Sequence, residues 1–179
     1  MIQETMFNIP YWTIPTLNYK EKKKKLQALC KRHPESKHGI QTFSTNRQTP
    51  RIQFKEDLTV IIEEELSMLS DKLQRDIRID DAWSVSYKKG DYHSVHNHGS
   101  VGLSCILYLT LPTDAPKTSF LQPWNNFLTD KSTYAVLDVK EGDILVVPSF
   151  VNHFTQQNKS KSEKRIISWD MKDASTINR

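Results

Sequence analysis

Cysteine is nearly absent from this 179-residue chain. Only Cys30 and Cys105 occur, with no CxxC spacing, which excludes a disulfide scaffold; both are expected to be buried thiols in a reducing cytoplasm. No apolar run approaches the roughly 18 residues of a membrane span. Met1–Thr5 lacks a basic stretch followed by an apolar core, so no signal peptide is expected. Glycine is scarce, at five residues, and no Gly-rich phosphate loop is present. Neither Ser104 nor Cys105 has a base at triad spacing, which argues against a nucleophilic enzyme. Charge of one sign barely dominates: 25 Lys and Arg against 21 Asp and Glu leave +4. Much of that excess lies in the run Lys20–Lys25, read as a solvated helix face. A nucleic-acid surface would interleave Arg and aromatics, and that pattern is missing.

What remains describes a globular domain, with 37% hydrophobic and 26% charged residues. Residues 1–179 are read as one domain, with a helical buttress over about 1–80 and a β core over about 81–171. Phe7–Ile14 reads as an extended edge segment limited by Pro10 and Pro15. Leu26, Leu29 and Cys30 recur at helical spacing within Tyr19–Arg32, a helix stopped by His33-Pro34. Residues 34–55 read as polar loop with room for one short strand. A single helix is predicted over Glu56–Ile77 from Leu58, Ile61, Ile62, Leu66, Leu69 and Leu73; only Glu65 breaks its apolar stripe.

Beyond Asp80 the pattern becomes short β-like runs between turn residues. Strands are predicted near Ala82–Tyr87, His93–His96, Leu103–Leu111, Thr118–Gln122, Tyr134–Val139, Asp143–Val147, Asn152–Gln156 and Arg165–Asp170. Two helices followed by eight short strands suggest an all-β sandwich or barrel buttressed by helices.

The histidines carry the chemistry. Three of the six, His93, His96 and His98, crowd one stretch. Residues i and i+2 of an extended strand share a face, so His96 and His98 project into one space. Neutral imidazole is a common ligand for Fe, Zn, Cu and Ni. His153 follows a turn and the apolar strand Ile144–Val147, and a sandwich can bring it beside the His-x-His pair. His33 and His38 are read as solvated loop residues. Trp83, Trp169 and Phe150 are read as core.

Four blocks extend this pattern: Tyr87-x-x-Gly90 leading to His96-x-His98; Ser104-Cys105-Ile106-Leu107-Tyr108-Leu109-Thr110; Val139–Pro148 followed by His153; and Arg165 on the last strand before Trp169. In this order they resemble the iron(II)- and 2-oxoglutarate-dependent dioxygenases, in their prolyl-hydroxylase-like branch. The resemblance implies a double-stranded β-helix (jelly roll), here an all-β core flanked by two N-terminal helices. It implies His96 as the first iron ligand and His153 as the distal histidine, with His98 the third candidate for the metal and catalytic set. Arg165 would grip the far carboxylate of 2-oxoglutarate, with Tyr108, Tyr87 and Ser104 lining the cofactor pocket. Fe(II), 2-oxoglutarate and O2 are the implied cofactors. The implied reaction is hydroxylation of a small-molecule or peptide substrate, a peptidyl or prolyl group among the candidates, with release of succinate and CO2.

One position departs from the family. Its usual iron set is two histidines and a carboxylate, and His98 stands where the carboxylate belongs. His98 ligates, or a carboxylate elsewhere such as Asp91 completes the site, or the protein is a non-catalytic binding module. A cupin-type metal enzyme that does not use 2-oxoglutarate is the rival on the same barrel. Against it, no Glu follows His98 at cupin spacing, and a cupin has no need of Arg165 and Tyr108. The loop Trp124–Asp130 is expected to shape the mouth of the site.

Overall fold

The computed structural model describes residues 8–33, 35–38, 42–45, 51–126 and 128–177. Phe7, Phe127, parts of the expected 34–55 loop and the side chain of His38 lie outside the described residues. In chain order the elements are β1 (Trp12–Pro15), α1 (Tyr19–Arg32), β2 (Glu35–His38), β3 (Thr42–Thr45), α2 (Arg51–Ile61), α3 (Glu63–Leu73), β4 (Ile77–Tyr87), β5 (His93–His96), β6 (Leu103–Thr110), β7 (Thr118–Leu121), β8 (Tyr134–Val136), β9 (Asp143–Pro148), β10 (His153–Thr155), β11 (Lys164–Asp173) and α4 (Ala174–Ile177).

The strands form a seven-stranded sheet in the order β1-β9-β6-β11-β4-β3-β2 and a four-stranded sheet in the order β5-β10-β7-β8, with every pairing antiparallel. From β4 to β11 the chain passes back and forth between the sheets, except at the β7–β8 pair, which stays within the small sheet, and this jelly-roll path is the expected double-stranded β-helix. β1 extends one edge of the large sheet through β9, and β2 and β3 extend the other through β4.

Each face of the large sheet carries its own core. One holds Cys105, Leu107, Leu109, Ile144, Val146, Ile167 and Trp169 against Leu26 and Leu29 of α1 and Phe54 and Leu58 of α2. The other, between the sheets, holds Val85, Tyr87, Ile106, Tyr108, Phe120, Leu145, Val147 and Ile166. A strand buried on both faces reads as a continuous apolar run rather than an alternation. That is why Ile166-Ile167 and Leu107-Tyr108-Leu109 reveal strand but not face.

The helices differ from expectation in three ways. The stretch read as one helix over Glu56–Ile77 is two, α2 and α3, broken at Ile62 (φ −112°, ψ 25°). The buried stripe Leu58-Ile62-Glu65-Leu69 keeps helical spacing through the break, so periodicity could not reveal it. Gln74 then enters the left-handed region (φ 54°) and ends α3, leaving Ile77 to begin β4. The buttress therefore has three helices rather than two.

The lysine run is not uniformly solvated. Lys22 is buried and its Nζ donates to both Glu65 oxygens at 2.9 Å and to Glu64 at 2.7 Å. Glu65, 1% exposed, also accepts from the Leu17 backbone N–H at 2.7 Å. The residue that broke the stripe thus ties α3, α1 and the segment after β1 together. Lys23 pairs with Glu141 and Lys25 with Glu21. Gly142 before β9 has φ +89°, and a Cβ there would stand 2.9 Å from the Tyr19 ring, so α1 docks on this turn only if the residue is glycine. His33, expected in solvent, is buried edge-on against Phe54 with ring centroids 5.5 Å apart.

Candidate metal centre

The small sheet brings the histidines together. β10 lies between β5 and β7, and its register sets His153 directly opposite His96 on one side and Phe120 on the other. His98 lies just past β5, where its backbone N–H donates to Ser149 O at 3.0 Å. One ring nitrogen from each of His96, His98 and His153 lies within 4.8 Å of the others. His93 stacks on His96 at 4.0 Å, outside this group.

All three rings are held in one tautomer. His96 Nδ1 meets Ser94 O at 2.8 Å, His153 Nδ1 meets Val151 O at 3.0 Å, and His98 Nδ1 meets Asp170 Oδ1 at 2.7 Å. A carbonyl or an ionised carboxylate can only accept, so each Nδ1 carries the proton. Each Nε2 is left with a lone pair, the form in which imidazole binds a metal. Burial, and then the neighbouring His96, drive the His153 pKa down to about 3. Burial likewise lowers that of His96. Burial therefore favours the neutral form of His96 and His153, the form that binds a divalent cation without first losing a proton. Trp83, expected in the core, stacks on His98 at 5.4 Å with an interplanar angle of 21°.

The interior of the barrel runs from this cluster to a buried cation, and the cation is Lys164. On β11 the register sets Lys164 opposite Tyr87, Ile166 opposite Val85 and Ser168 opposite Trp83, all on the barrel-facing side. Lys164 is fully buried. Its Nζ donates to Pro116 O at 2.8 Å and lies 4.7 Å and 5.7 Å from the ring centres of Tyr87 and Tyr108. Among the described residues no acidic side chain pairs with it, and burial pushes its pKa down to about 7. Nearby, the Thr118 hydroxyl is buried without a hydrogen-bond partner. Tyr108 OH accepts from the Thr118 N–H at 3.4 Å.

Arg165, expected at this spot, leaves the opposite face of β11. Its Nε donates to Ser86 Oγ at 3.1 Å and its guanidinium pairs with Glu163 at 2.8 Å. Two cationic residues stand side by side, and strand alternation sends the second away from the barrel. Of the other expected residues, Tyr108 and Tyr87 lie beside Lys164, and Tyr87 OH also lies 3.4 Å from His93 Nδ1. Ser104 sits at the other end, donating to Asp170 Oδ1 at 3.0 Å. Asp91 is used locally, its carboxylate accepting from Lys88 N–H at 2.7 Å.

Lys164, Thr118 and Asp170 were missed. The signal for Lys164 was register: with Tyr87 and Trp83 inward on β4, their partners Lys164 and Ser168 must point inward too. Trp124, 48% exposed, helps line a separate cavity of about 370 Å³ with Tyr11, Phe120, Tyr134 and Leu137. The Phe120 ring is also 5.8 Å from that of His153. Phe150, read as core, is exposed. Among the described residues no helix is long and apolar enough to cross a membrane.

Residues 81–170, half of the chain, match the family described as "Putative 2OG-Fe(II) oxygenase". No protein of curated function matches in sequence. Among solved structures, the chain is similar to the non-heme alpha ketoglutarate dependent epimerase SnoN from nogalamycin biosynthesis. That match has TM-score 0.74 and 10% identity, over 93% of this chain and 78% of that one. HygX from Streptomyces hygroscopicus, solved with nickel, 2-oxoglutarate and hygromycin B, gives 0.70 and 12%, over 93% and 84%. The viral collagen prolyl hydroxylase vCPH from Paramecium Bursaria Chlorella virus-1, as its 2OG complex, gives 0.56 and 16%, over 92% and 96%. At these identities the likeness is one of fold.

Proposed function

The chain belongs to the 2OG-Fe(II) oxygenase family, and from that premise we propose that it hydroxylates a C–H bond of a small-molecule or peptide substrate at a three-histidine iron centre. His96, His98 and His153 hold the metal through Nε2. Lys164, rather than Arg165, binds the far carboxylate of 2-oxoglutarate. The observation that carries the reading is an ammonium buried without an acidic partner, on the same barrel interior as three imidazoles whose lone pairs converge. An unpaired buried cation is costly. A site that keeps one, with the unpartnered Thr118 hydroxyl nearby, is built for an anion that arrives from outside.

The strand spacing is comparable with the ligand's length, although the interior holds only about 20 Å³ of free volume and its side chains must move to admit the dicarboxylate. Thr118 lies one same-face step from Phe120, the register partner of His153. That step is roughly 7 Å along a strand, about the length of a five-carbon dicarboxylate. When bound, iron(II) with 2-oxoglutarate and O2 supplies the oxidising chemistry, coupled in this family to release of succinate and CO2. The chain does the rest. The three rings would hold the ion. Lys164 and Tyr108 hold one end of the dicarboxylate. Val85, Ile106 and Ile166 line the walls between and keep water out.

The substrate side is assigned to the neighbouring cavity. Its lining by Tyr11, Trp124, Tyr134 and Leu137, with Phe120 between it and His153, suits a substrate with an apolar or aromatic part. The test is conversion of 2-oxoglutarate to succinate by Fe(II)-loaded protein across peptide and small-molecule pools, alongside direct 2-oxoglutarate binding. Binding in the native protein and its loss in Lys164→Met support the reading. An Fe(II)-loaded native protein that does not bind 2-oxoglutarate overturns it in favour of a metal enzyme of the cupin kind.

A further inference from the structure

Two of the three histidines lean on backbone carbonyls and one on a carboxylate. Ser94 O and Val151 O are neutral acceptors, each two residues before the ring it orients. Asp170 Oδ1 is an anion from another strand, 2.7 Å from His98 Nδ1. That difference falls on the position where the family's usual set has a carboxylate ligand.

We propose that Asp170 is a positioning residue that supplies, one hydrogen bond away from the metal, the negative charge that His98 does not bring. The inference rests on the three-histidine reading above. Three neutral imidazoles around a divalent cation leave two positive charges, whereas two imidazoles and a carboxylate leave one. Asp170 restores the balance through the ring: its charge strengthens the Nδ1–H bond and raises the basicity of Nε2 on the other side. It is not among the residues whose ligand atoms group together. It sits at the Nδ1 side of the ring, with the imidazole between it and the point where the three ligand atoms converge.

The surrounding chain aims this carboxylate. Asp170 lies opposite Ser104 on β6, and the Ser104 hydroxyl donates to the same oxygen at 3.0 Å. The β11–β4 register shifts between Asp170 and Met171, an irregularity of the kind that re-aims a side chain. The Trp83 ring stacked on His98 holds the imidazole in the plane the hydrogen bond needs. Among the described residues, no acidic side chain joins the three histidines in the group itself.

The experiment is titration of the metal-free, full-length protein with cobalt(II) alone, read by calorimetry and by the visible absorption of the bound ion. Asp170→Asn keeps the shape and an accepting oxygen but removes the charge. It is expected to weaken cobalt binding by about 10–100-fold, the usual effect of losing such an outer partner. In a His98→Ala background the same substitution is expected to change the affinity less than about twofold, because the charge then has no ring to act through. Asp170→Asn binding that equals the native protein, or an equal loss with and without His98, overturns the proposal. Native protein that fails to bind cobalt overturns the three-histidine centre itself, a different and distinguishable failure.

Should Asp170→Asn not fold, zinc-loaded native protein decides the matter by nitrogen-proton NMR of the ring nitrogens. The expected result is a His98 Nδ1 proton displaced downfield of those of His96 and His153. A His98 proton on Nε2, or an Nδ1 proton resonating with the other two, overturns the proposal.

Discussion

Lys164 and Arg165 are neighbours in the chain and leave opposite faces of β11. The ammonium of Lys164 points into the barrel against the rings of Tyr87 and Tyr108, and the guanidinium of Arg165 pairs with Glu163 at 2.8 Å on the other side. The assignment of the carboxylate clamp follows from this one alternation. Lys164→Met is expected to abolish measurable 2-oxoglutarate binding while retaining metal. Arg165→Ala is expected to leave that binding within about twofold and to cost under roughly 1 kcal/mol, since its ion pair is partly exposed. Calorimetric titration of each Fe(II)-loaded variant checks both outcomes, and the reverse pattern would return the clamp to Arg165.

The same lysine makes stability depend on pH. Its pKa is about 7 when folded, against 10.5 for the ordinary side chain. Between those values the unfolded chain binds more protons than the folded one, so this group's contribution to stability rises with pH across the window. Below about pH 7 the cost of burying the charge is felt in full. Lys164→Met is therefore expected to raise the stability of the cofactor-free protein by roughly 1–4 kcal/mol near neutral pH. The gain should shrink toward about pH 10. Urea denaturation of both proteins at several pH values measures the difference, and a gain independent of pH would contradict the burial of a titrating amine.

Binding of the dicarboxylate should reverse that sign. An anion beside Lys164 favours the protonated amine, so association above about pH 7 takes up a proton and weakens as pH rises. Calorimetry in two buffers of different ionisation enthalpy reports the uptake directly. Equal heats in both buffers at pH above 7 would be inconsistent with this site.

Among the ligands, His153 is the most buried and is held from both sides by β5 and β7. His153→Ala is expected to weaken cobalt(II) binding at least about 100-fold, beyond what outer partners are worth. Removing the ring also relieves a desolvated polar group, so the metal-free fold should keep its thermal midpoint within a few degrees of native. Unchanged cobalt affinity would exclude His153 from the centre.

Away from the site, the Lys22–Glu65 pair makes a stability prediction. Glu65→Ala leaves the Lys22 ammonium with only the exposed Glu64 and leaves the Leu17 N–H without its acceptor. The expected cost is roughly 3–5 kcal/mol. The double replacement Lys22→Met with Glu65→Leu should recover most of it, because an apolar pair needs no desolvated charge. Thermal melts of the two variants decide, and an equal loss in both would deny the pair its role.

The chain's local pattern carries the fold class, because turn residues punctuate eight strands from β4 to β11 and a jelly roll is what such strands build beside a helical buttress. It also points to His96, His98 and His153 through their spacing and block order, although His98 lies just past β5 rather than on it. The break at Ile62 stayed hidden because its apolar stripe runs through it unbroken. Which cation faces the barrel was equally hidden: β11 is buried on both sides, so Ile166 and Ile167 look alike in the sequence, and only the pairing of Lys164 with Tyr87 orients the strand. Asp170 belongs to the same class. Its partner His98 is distant along the chain, and no local period encodes a hydrogen bond from a strand of one sheet to the segment after a strand of the other. Proximity that depends on how two sheets close on one another is decided by tertiary structure alone.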